Sequence, residues 1–302
     1  MPSALKPQAT ERVIGGHAAA AGAYPATVSL EVVNSEGVGL CGGTLINNHT
    51  IVTAAHCVFD FDTNTVIPAT NMHVGYGSNS RKNQTVVPVK AVHMDPAFNP
   101  LQTENDIAIL TIDPITTTAS VQPAPIYSGT LPTGTNLTAV GWGLTAPGGS
   151  FDTLPDELQA TRIVVGTRDE CRKMVPAYES SSGPQICTQN SLAPGSDTCQ
   201  GDSGTGVFIT IDGQNYLAGL TSFGASPDGD PTCALSDGLA IYTHVYYYMP
   251  FISQYAGTTA TGPRRHRHDH RYRPGHGHWR RPHGHRASSA GAPAHRPVDR
   301  AT

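Results

Sequence analysis

The apolar residues of this chain come only in short runs, and that limits what it can fold into. In the first half they fall at Thr27–Val33, Gly43–Ile46, Ile51–Thr53, Thr85–His93 and Ile107–Ile112. In the second half they fall at Leu137–Trp142, Gln159–Val165, Gly206–Ile211, Tyr216–Phe223 and Leu239–Thr243. Gly, Asn and Pro separate the runs, which is the pattern of strands punctuated by turns. No run approaches the ~18 apolar residues of a membrane-crossing helix. With 32 Gly, 24 Pro and only 14% charged residues, the composition favours many short strands over long helices. A Pro/Thr-rich stretch, Pro114–Pro132, reads as a connector between two similar halves. The expectation is an all-β body of two barrels or sandwiches. Tyr246–Tyr255 fits a short closing helix, with Pro250 tolerated only in its first turn.

Charge divides the chain differently. The formal net charge is −4, from 19 Lys and Arg against 23 Asp and Glu. Residues after Ala256 carry ten Arg and two Asp, a net of +8, which leaves −12 on the first 256 residues. An acidic body joined to a basic tail excludes a uniformly basic nucleic-acid-binding fold. The tail, Gly257–Thr302, also holds eight His and almost no aliphatic residues. Such a segment cannot bury enough apolar area to fold alone. Its imidazoles suit Zn, Cu or Ni, and its guanidinium groups suit polyanions.

The six cysteines are Cys41, Cys57, Cys171, Cys187, Cys199 and Cys233, none in a C-x-x-C pair. Six cysteines allow fifteen pairings, and spacing does not choose among them. An even count in a glycine-rich chain points to disulfides and an oxidising compartment. Sequons at Asn48, Asn83 and Asn136 agree with a secreted glycoprotein. The opening MPSALKPQATER has no apolar signal core, so export is expected to use a signal that this chain does not carry.

Three islands carry the chemistry. TAAHC holds His56, ENDIAIL holds Asp106 at the head of an apolar strand, and DTCQGDSGTG holds Ser203 in a Gly-flanked turn. A serine hydroxyl becomes a nucleophile when a histidine takes its proton. A buried carboxylate then fixes the imidazole tautomer and stabilises its cation. Gly201 and Gly204 let backbone N–H groups approach a developing oxyanion, at roughly 3 kcal/mol per donor.

In these motifs the chain resembles the trypsin/chymotrypsin family of serine proteases, over Val13 to about Ala256. The resemblance implies two six-stranded antiparallel β-barrels packed face to face, a short C-terminal helix, and an active site in the cleft between the barrels. The halves would divide near residues 114–132. It implies His56 as general base, Asp106 as orienting acid, Ser203 as nucleophile, and the N–H groups of Gly201 and Ser203 as oxyanion hole. Ser222-Phe223-Gly224 resembles the segment that pairs with substrate backbone. The resemblance also selects the pairing Cys41–Cys57, Cys171–Cys187 and Cys199–Cys233.

ERVIGG resembles the family's activation site, which makes residues 1–12 a leader. Cleavage after Arg12 would free the α-amine of Val13 to pair with Asp202. Asp197, six residues before Ser203, sits where the trypsin branch has its pocket carboxylate, which implies cleavage after Arg or Lys. Thr198 would add a hydroxyl and Gly224 an open wall. Departures are expected to matter. Ala240 falls where trypsins have a pocket-wall glycine, and the loop Ala225–Thr232 is longer than usual. Gly75–Lys82 lacks the carboxylates of a calcium loop, so no structural metal is expected, and no cofactor. Protein and peptide substrates and protein protease inhibitors are the expected partners of a monomer. The alternative is a catalytically weak homologue that acts as a binding module.

Overall fold

The computed structural model describes residues 14–35, 37–230, 232–257 and 262. The strands are β1 (His17–Ala18), β2 (Thr27–Asn34), β3 (Gly37–Leu45), β4 (Thr50–Thr53), β5 (Phe59–Asp60), β6 (Thr65–Val66), β7 (Met72–Tyr76), β8 (Thr85–Pro88), β9 (Ala91–Met94) and β10 (Ala108–Thr111). They continue with β11 (Asn136–Gly141), β12 (Gln159–Val164), β13 (Gln185–Gln189), β14 (Gly206–Ile211), β15 (Gln214–Ala225) and β16 (Leu239–His244). Helix α1 (Arg168–Met174) precedes β13, and α2 (Met249–Ala256) follows β16.

Two antiparallel sheets of seven strands hold the body, in the orders β8-β7-β2-β3-β4-β10-β9 and β1-β12-β11-β14-β15-β16-β13. Each reduces to a six-stranded barrel. In the first, β8 and β9 are two ends of one bent strand. Val89 N–H reaches Met72 O at 3.1 Å and Lys90 N–H reaches Thr111 O at 2.8 Å, so the strand closes the sheet on β7 at one end and β10 at the other. In the second, β12 runs on past Val164. Val165 bridges Thr188, and Gly166 N–H donates to Cys187 O at 2.9 Å, which joins β12 to β13. The seventh member, β1, lies against the start of β12 with His17 opposite Ala160. The expected two-barrel fold is therefore present. Full closure also leaves fewer unpaired edges.

The core follows the alternation of the strands. Leu30 and Val32 of β2 point inward while Glu31 points to solvent. One apolar cluster runs from Leu30, Leu45, Ile51 and Met72 of the first barrel to Val140, Phe208 and Leu220 of the second, so the barrels share a core. Each such buried side chain contributes about 1.5–3 kcal/mol. Trp142, at the end of β11, donates from Nε1 to Asn79 O at 2.7 Å and ties the halves together. The closing helix starts at Met249, after a 3-10 turn over Val245–Tyr248, with Pro250 in its first turn. It ends at Gly257, whose φ of 58° is the left-handed conformation that glycine adopts without a Cβ clash. Cys41–Cys57, Cys171–Cys187 and Cys199–Cys233 are the disulfides of the described residues.

Candidate active site

His56 lies in a 3-10 turn, Ala55–Val58, directly after β4, and Cys57 ties that turn to β3 through Cys41. Register brings Asp106 to it. β10 and β4 are antiparallel with Ala108 opposite Thr53, so the chain two residues earlier on the β10 side meets the turn that carries His56. Asp106 Oδ2 lies 2.8 Å from His56 Nδ1, and Oδ1 accepts the His56 backbone N–H at 2.9 Å. A carboxylate only accepts, so Nδ1 carries the proton and Nε2 is left with its lone pair. Ser222 of β15 donates its hydroxyl to Asp106 Oδ2 at 2.5 Å, and Thr243 of β16 donates to Asp106 O at 2.7 Å. Both barrels thus grip one carboxylate that is 2% exposed.

These contacts set the ionisation. Burial by itself lowers the imidazole pKa, but the charge and hydrogen bond of Asp106 outweigh it and hold His56 above its ordinary 6.5. Burial by itself raises Asp106. The His56 charge and the hydrogen bonds from His56 and Ser222 overcome that and keep it below the usual carboxylate value.

Ser203 sits in a turn that needs glycine on both sides, with Gly201 at φ 96° and Gly204 at φ 75°. The turn is docked on the first barrel. Gly42 N–H donates to Ser203 O at 2.8 Å, and a Cβ on Gly204 would lie 2.7 Å from Gly42 O. Among the described residues, no acceptor takes the N–H of Gly201 or Ser203, and no hydrogen bond joins Ser203 Oγ to the imidazole. Contacts of the latter kind are often long until substrate binds.

A cavity of about 240 Å³ opens beside Ser203. Asp197, Thr198, Ser222, Phe223 and Gly224 line it with Ser203. Ala240 is not among the lining residues. It is 2% exposed, paired with Gly224 across β15–β16 and packed with Tyr127, Ile163 and Tyr242, while Gly238 and Leu239 face the cavity. The long loop contributes Asp230 and Thr232 to the rim. Asn190 is a lining residue that sequence reading did not single out. It donates from Nδ2 to Asp197 Oδ2 at 3.0 Å. Ala234 N–H at 2.7 Å and Thr198 N–H at 2.8 Å complete the shell of Asp197. Burial still raises the Asp197 pKa above the ordinary carboxylate value against these bonds. No sequence signal marked Asn190, because an Asn before a Ser-Leu pair looks like any turn residue.

Asp202 points away from this cavity into the protein. It accepts N–H from Gly143 at 2.7 Å and from Cys199 at 2.9 Å. Gly141 and Gly143 leave it room, since a Cβ on either would overlap its carboxyl. Burial pushes its pKa up to about 7, and the charge of Asp197 adds to the shift. Arg12 and Val13 lie outside the described residues. The residues that follow them dock next to the site. Ile14 is buried against Leu144 and Cys199, and its carbonyl accepts Asp197 N–H at 3.2 Å.

Comparison of the sequence with known proteins agrees with the fold. The model of the family described as Trypsin matches residues 13–252. The chain belongs to the trypsin family. It is 29% identical over 255 residues to "Trypsin Tyr p 3.0101" of Tyrophagus putrescentiae, covering 82% of each chain. It is 28% identical over 247 residues to "Trypsin alpha-4" of Lucilia cuprina, covering 81% of this chain and 88% of the relative. It is 32% identical over 202 residues to "Achelase-1" of Lonomia achelous, covering 65% of this chain and 91% of the relative. The trypsin-family match ends near the last turn of α2, so the basic tail lies beyond it.

Proposed function

We propose that the chain is a trypsin-like serine endopeptidase that hydrolyses peptide bonds after Arg or Lys through an acyl-enzyme. The observation that carries this reading is one cavity with Ser203 at its mouth and the buried carboxylate of Asp197 in its lining. A guanidinium or ammonium group entering the cavity gives Asp197 the cation that its burial calls for. In this mechanism Ser203 Oγ attacks the scissile carbonyl, and His56 Nε2 takes its proton and hands it to the leaving amine. Asp106 holds the imidazolium, and the N–H groups of Gly201 and Ser203 receive the oxyanion. Ser222–Gly224 binds the substrate backbone as an added strand.

The same reading makes the chain a secreted zymogen cut after Arg12. The new Val13 amine would pair with Asp202, an arrangement supported by the docking of Ile14 beside the pocket loop. Glycans at Asn48, Asn83 and Asn136, protein inhibitors as partners, and polyanion or metal binding by the tail belong to this reading as well.

The test is initial hydrolysis rates on short Arg, Lys and Phe esters, with protein that begins at Val13 and Ser203→Ala as control. Arg and Lys turnover that disappears in Ser203→Ala is the expected result. Phe turnover alone would retain Ser203 and remove Asp197 from its role. No turnover by folded, disulfide-bonded protein would bring forward the binding-module reading.

A further inference from the structure

The basic residues of this chain are unevenly shared. Ten of its 19 Lys and Arg lie in the last 46 residues, and two, Lys6 and Arg12, lie in the leader. The other seven belong to the body, four in regular elements and three on backbone whose N–H groups are hydrogen-bonded. Arg162 is in β12, three are in α1, and Arg81 and Lys82 form part of a 3-10 turn. Lys90 has its N–H bonded to Thr111 O at 2.8 Å and its ammonium 2.9 Å from Asp113. A protease reads an extended segment laid against its cleft as an added strand. A basic residue inside a helix or a paired strand is delivered only by local unfolding, which costs free energy up to that of the whole domain.

The cleft itself is acidic. Asp197 lies buried in the cavity lining, and Asp230, fixed by Thr232 N–H at 2.8 Å, stands on the rim. Two carboxylates a cavity apart suit a segment with closely spaced cations, and the tail offers Arg264-Arg265 and Arg280-Arg281. The net charges, −12 on the first 256 residues and +8 on the remainder, also favour encounter between one molecule's body and another's tail.

We infer that the protein's own basic tail, presented by a second copy of the chain, is a substrate of this cleft, so that active enzyme sheds residues from about 265 onward while its body resists. The inference rests on the Arg/Lys specificity proposed above and names a particular substrate for it. Ser203 Oγ bonds to the carbonyl carbon of a tail arginine. The C–N bond to the next residue breaks, and that nitrogen leaves with the serine proton delivered by His56. Water then attacks the ester and gives one proton through His56 back to Ser203; the new arginine carboxylic acid loses the other to solvent and leaves as a carboxylate. Seven of the ten arginines precede a residue other than proline. Arg273, Arg281 and Arg296 precede proline, whose tertiary amide and ring crowd the scissile bond, so cuts fall at the other seven. Loss of residues 265–302, nine Arg and two Asp, moves the net charge from −4 to −11.

The experiment uses the full 302-residue chain with Ser203→Ala as substrate and a trace of active wild-type protein as enzyme, followed by intact mass. The expected result is that the Ser203→Ala chain alone keeps its mass. With wild type added it loses C-terminal fragments at Arg264, Arg265 or Arg267 about tenfold or more faster than any body bond breaks. Wild type that hydrolyses Arg esters but leaves the tail intact overturns the inference and leaves the specificity reading standing. Wild type that hydrolyses only Phe esters overturns both. Body cleavage as fast as tail cleavage also overturns the inference.

Discussion

His56 and Asp106 come from the first barrel and Ser203 and Asp197 from the second, and the two pairs are held by different means. The first pair sits at the ends of paired strands, β4 and β10, and Asp106 alone receives four hydrogen bonds from His56, Ser222 and Thr243. The second pair sits in a turn with two left-handed glycines, clipped at Cys199–Cys233 and braced by Ile14. Strand register fixes the His56–Asp106 hydrogen bonds once and for all. A clipped turn can be completed late, by a chain end that arrives from elsewhere, and so can be regulated. The His56–Asp106 pair is built into the fold, while on the proposed reading Ser203 and its pocket depend on what docks against them.

The largest effect is expected at Asp106. Asp106→Asn keeps the backbone bond from Thr243 but reverses the tautomer preference of His56. It should lower kcat about 10⁴-fold with unchanged far-UV circular dichroism. A drop of tenfold or less would show that the imidazole is positioned by its 3-10 turn alone.

Next comes the pair of disulfides nearest the site. Cys199–Cys233 spans 34 residues and Cys41–Cys57 spans 16, so chain entropy assigns them about 4 and about 3 kcal/mol. Replacing both cysteines of each by Ala should cost similar stability in urea melts. Only the Cys199–Cys233 variant should lose most of its Arg-ester turnover, because that link clips the pocket. Equal losses of activity would remove the contrast between a built-in relay and a clipped pocket.

Two smaller effects depend on pH. Because Asp106 holds His56 above 6.5, and the proposed mechanism needs the neutral imidazole, kcat/KM should rise with pH through a midpoint above 6.5. A midpoint below that value would mean that desolvation dominates in solution. Asp202 works in the opposite sense on stability. Its folded pKa of about 7 lies above the ordinary 3.8, so its contribution is present at low pH and is lost as pH rises through about 7. Protein that begins at Met1 should therefore lose Tm on passing from pH 6 to pH 8. Protein that begins at Val13 should lose less, since its terminal cation favours the ionised carboxyl. Identical Tm profiles would separate Asp202 from activation.

Much of this architecture can be read from the sequence, because strands with one buried face announce themselves. β2, β14 and β15 alternate or run apolar between turn residues, and they lie within a residue or two of where the runs place them. The single run Thr85–His93 conceals a bend. At Val89 and Lys90 the pairing passes from β7 to β10, and no local residue type says that the two ends serve different partners. β13 escapes notice because Gln185–Gln189 mixes polar residues with few apolar ones, while β7, Met72–Tyr76, alternates Met, Val and Tyr but over only five residues, and the stability of both comes from pairing between distant strands. Helix α1 did carry a signal. Thr167 followed by Glu170 is a capping-box spacing, and Thr167 Oγ1 accepts Glu170 N–H at 3.3 Å. At the site, the residues with chemistry of their own stand out in the sequence. Asn190, Gly238 and Leu239 do not, because they matter only through where the fold puts them.

The short strand β1 has a consequence for biosynthesis. His17 and Ala18 belong to the sheet of the second half, with partners at Ala160 and Gln159, yet they are made before any of the first barrel. At a synthesis rate of roughly 5–20 residues per second, the nascent end waits on the order of 10 s for its partner strand to leave the ribosome. During that wait the first barrel can close without it, so a strand made before the first barrel is among the last to find its place.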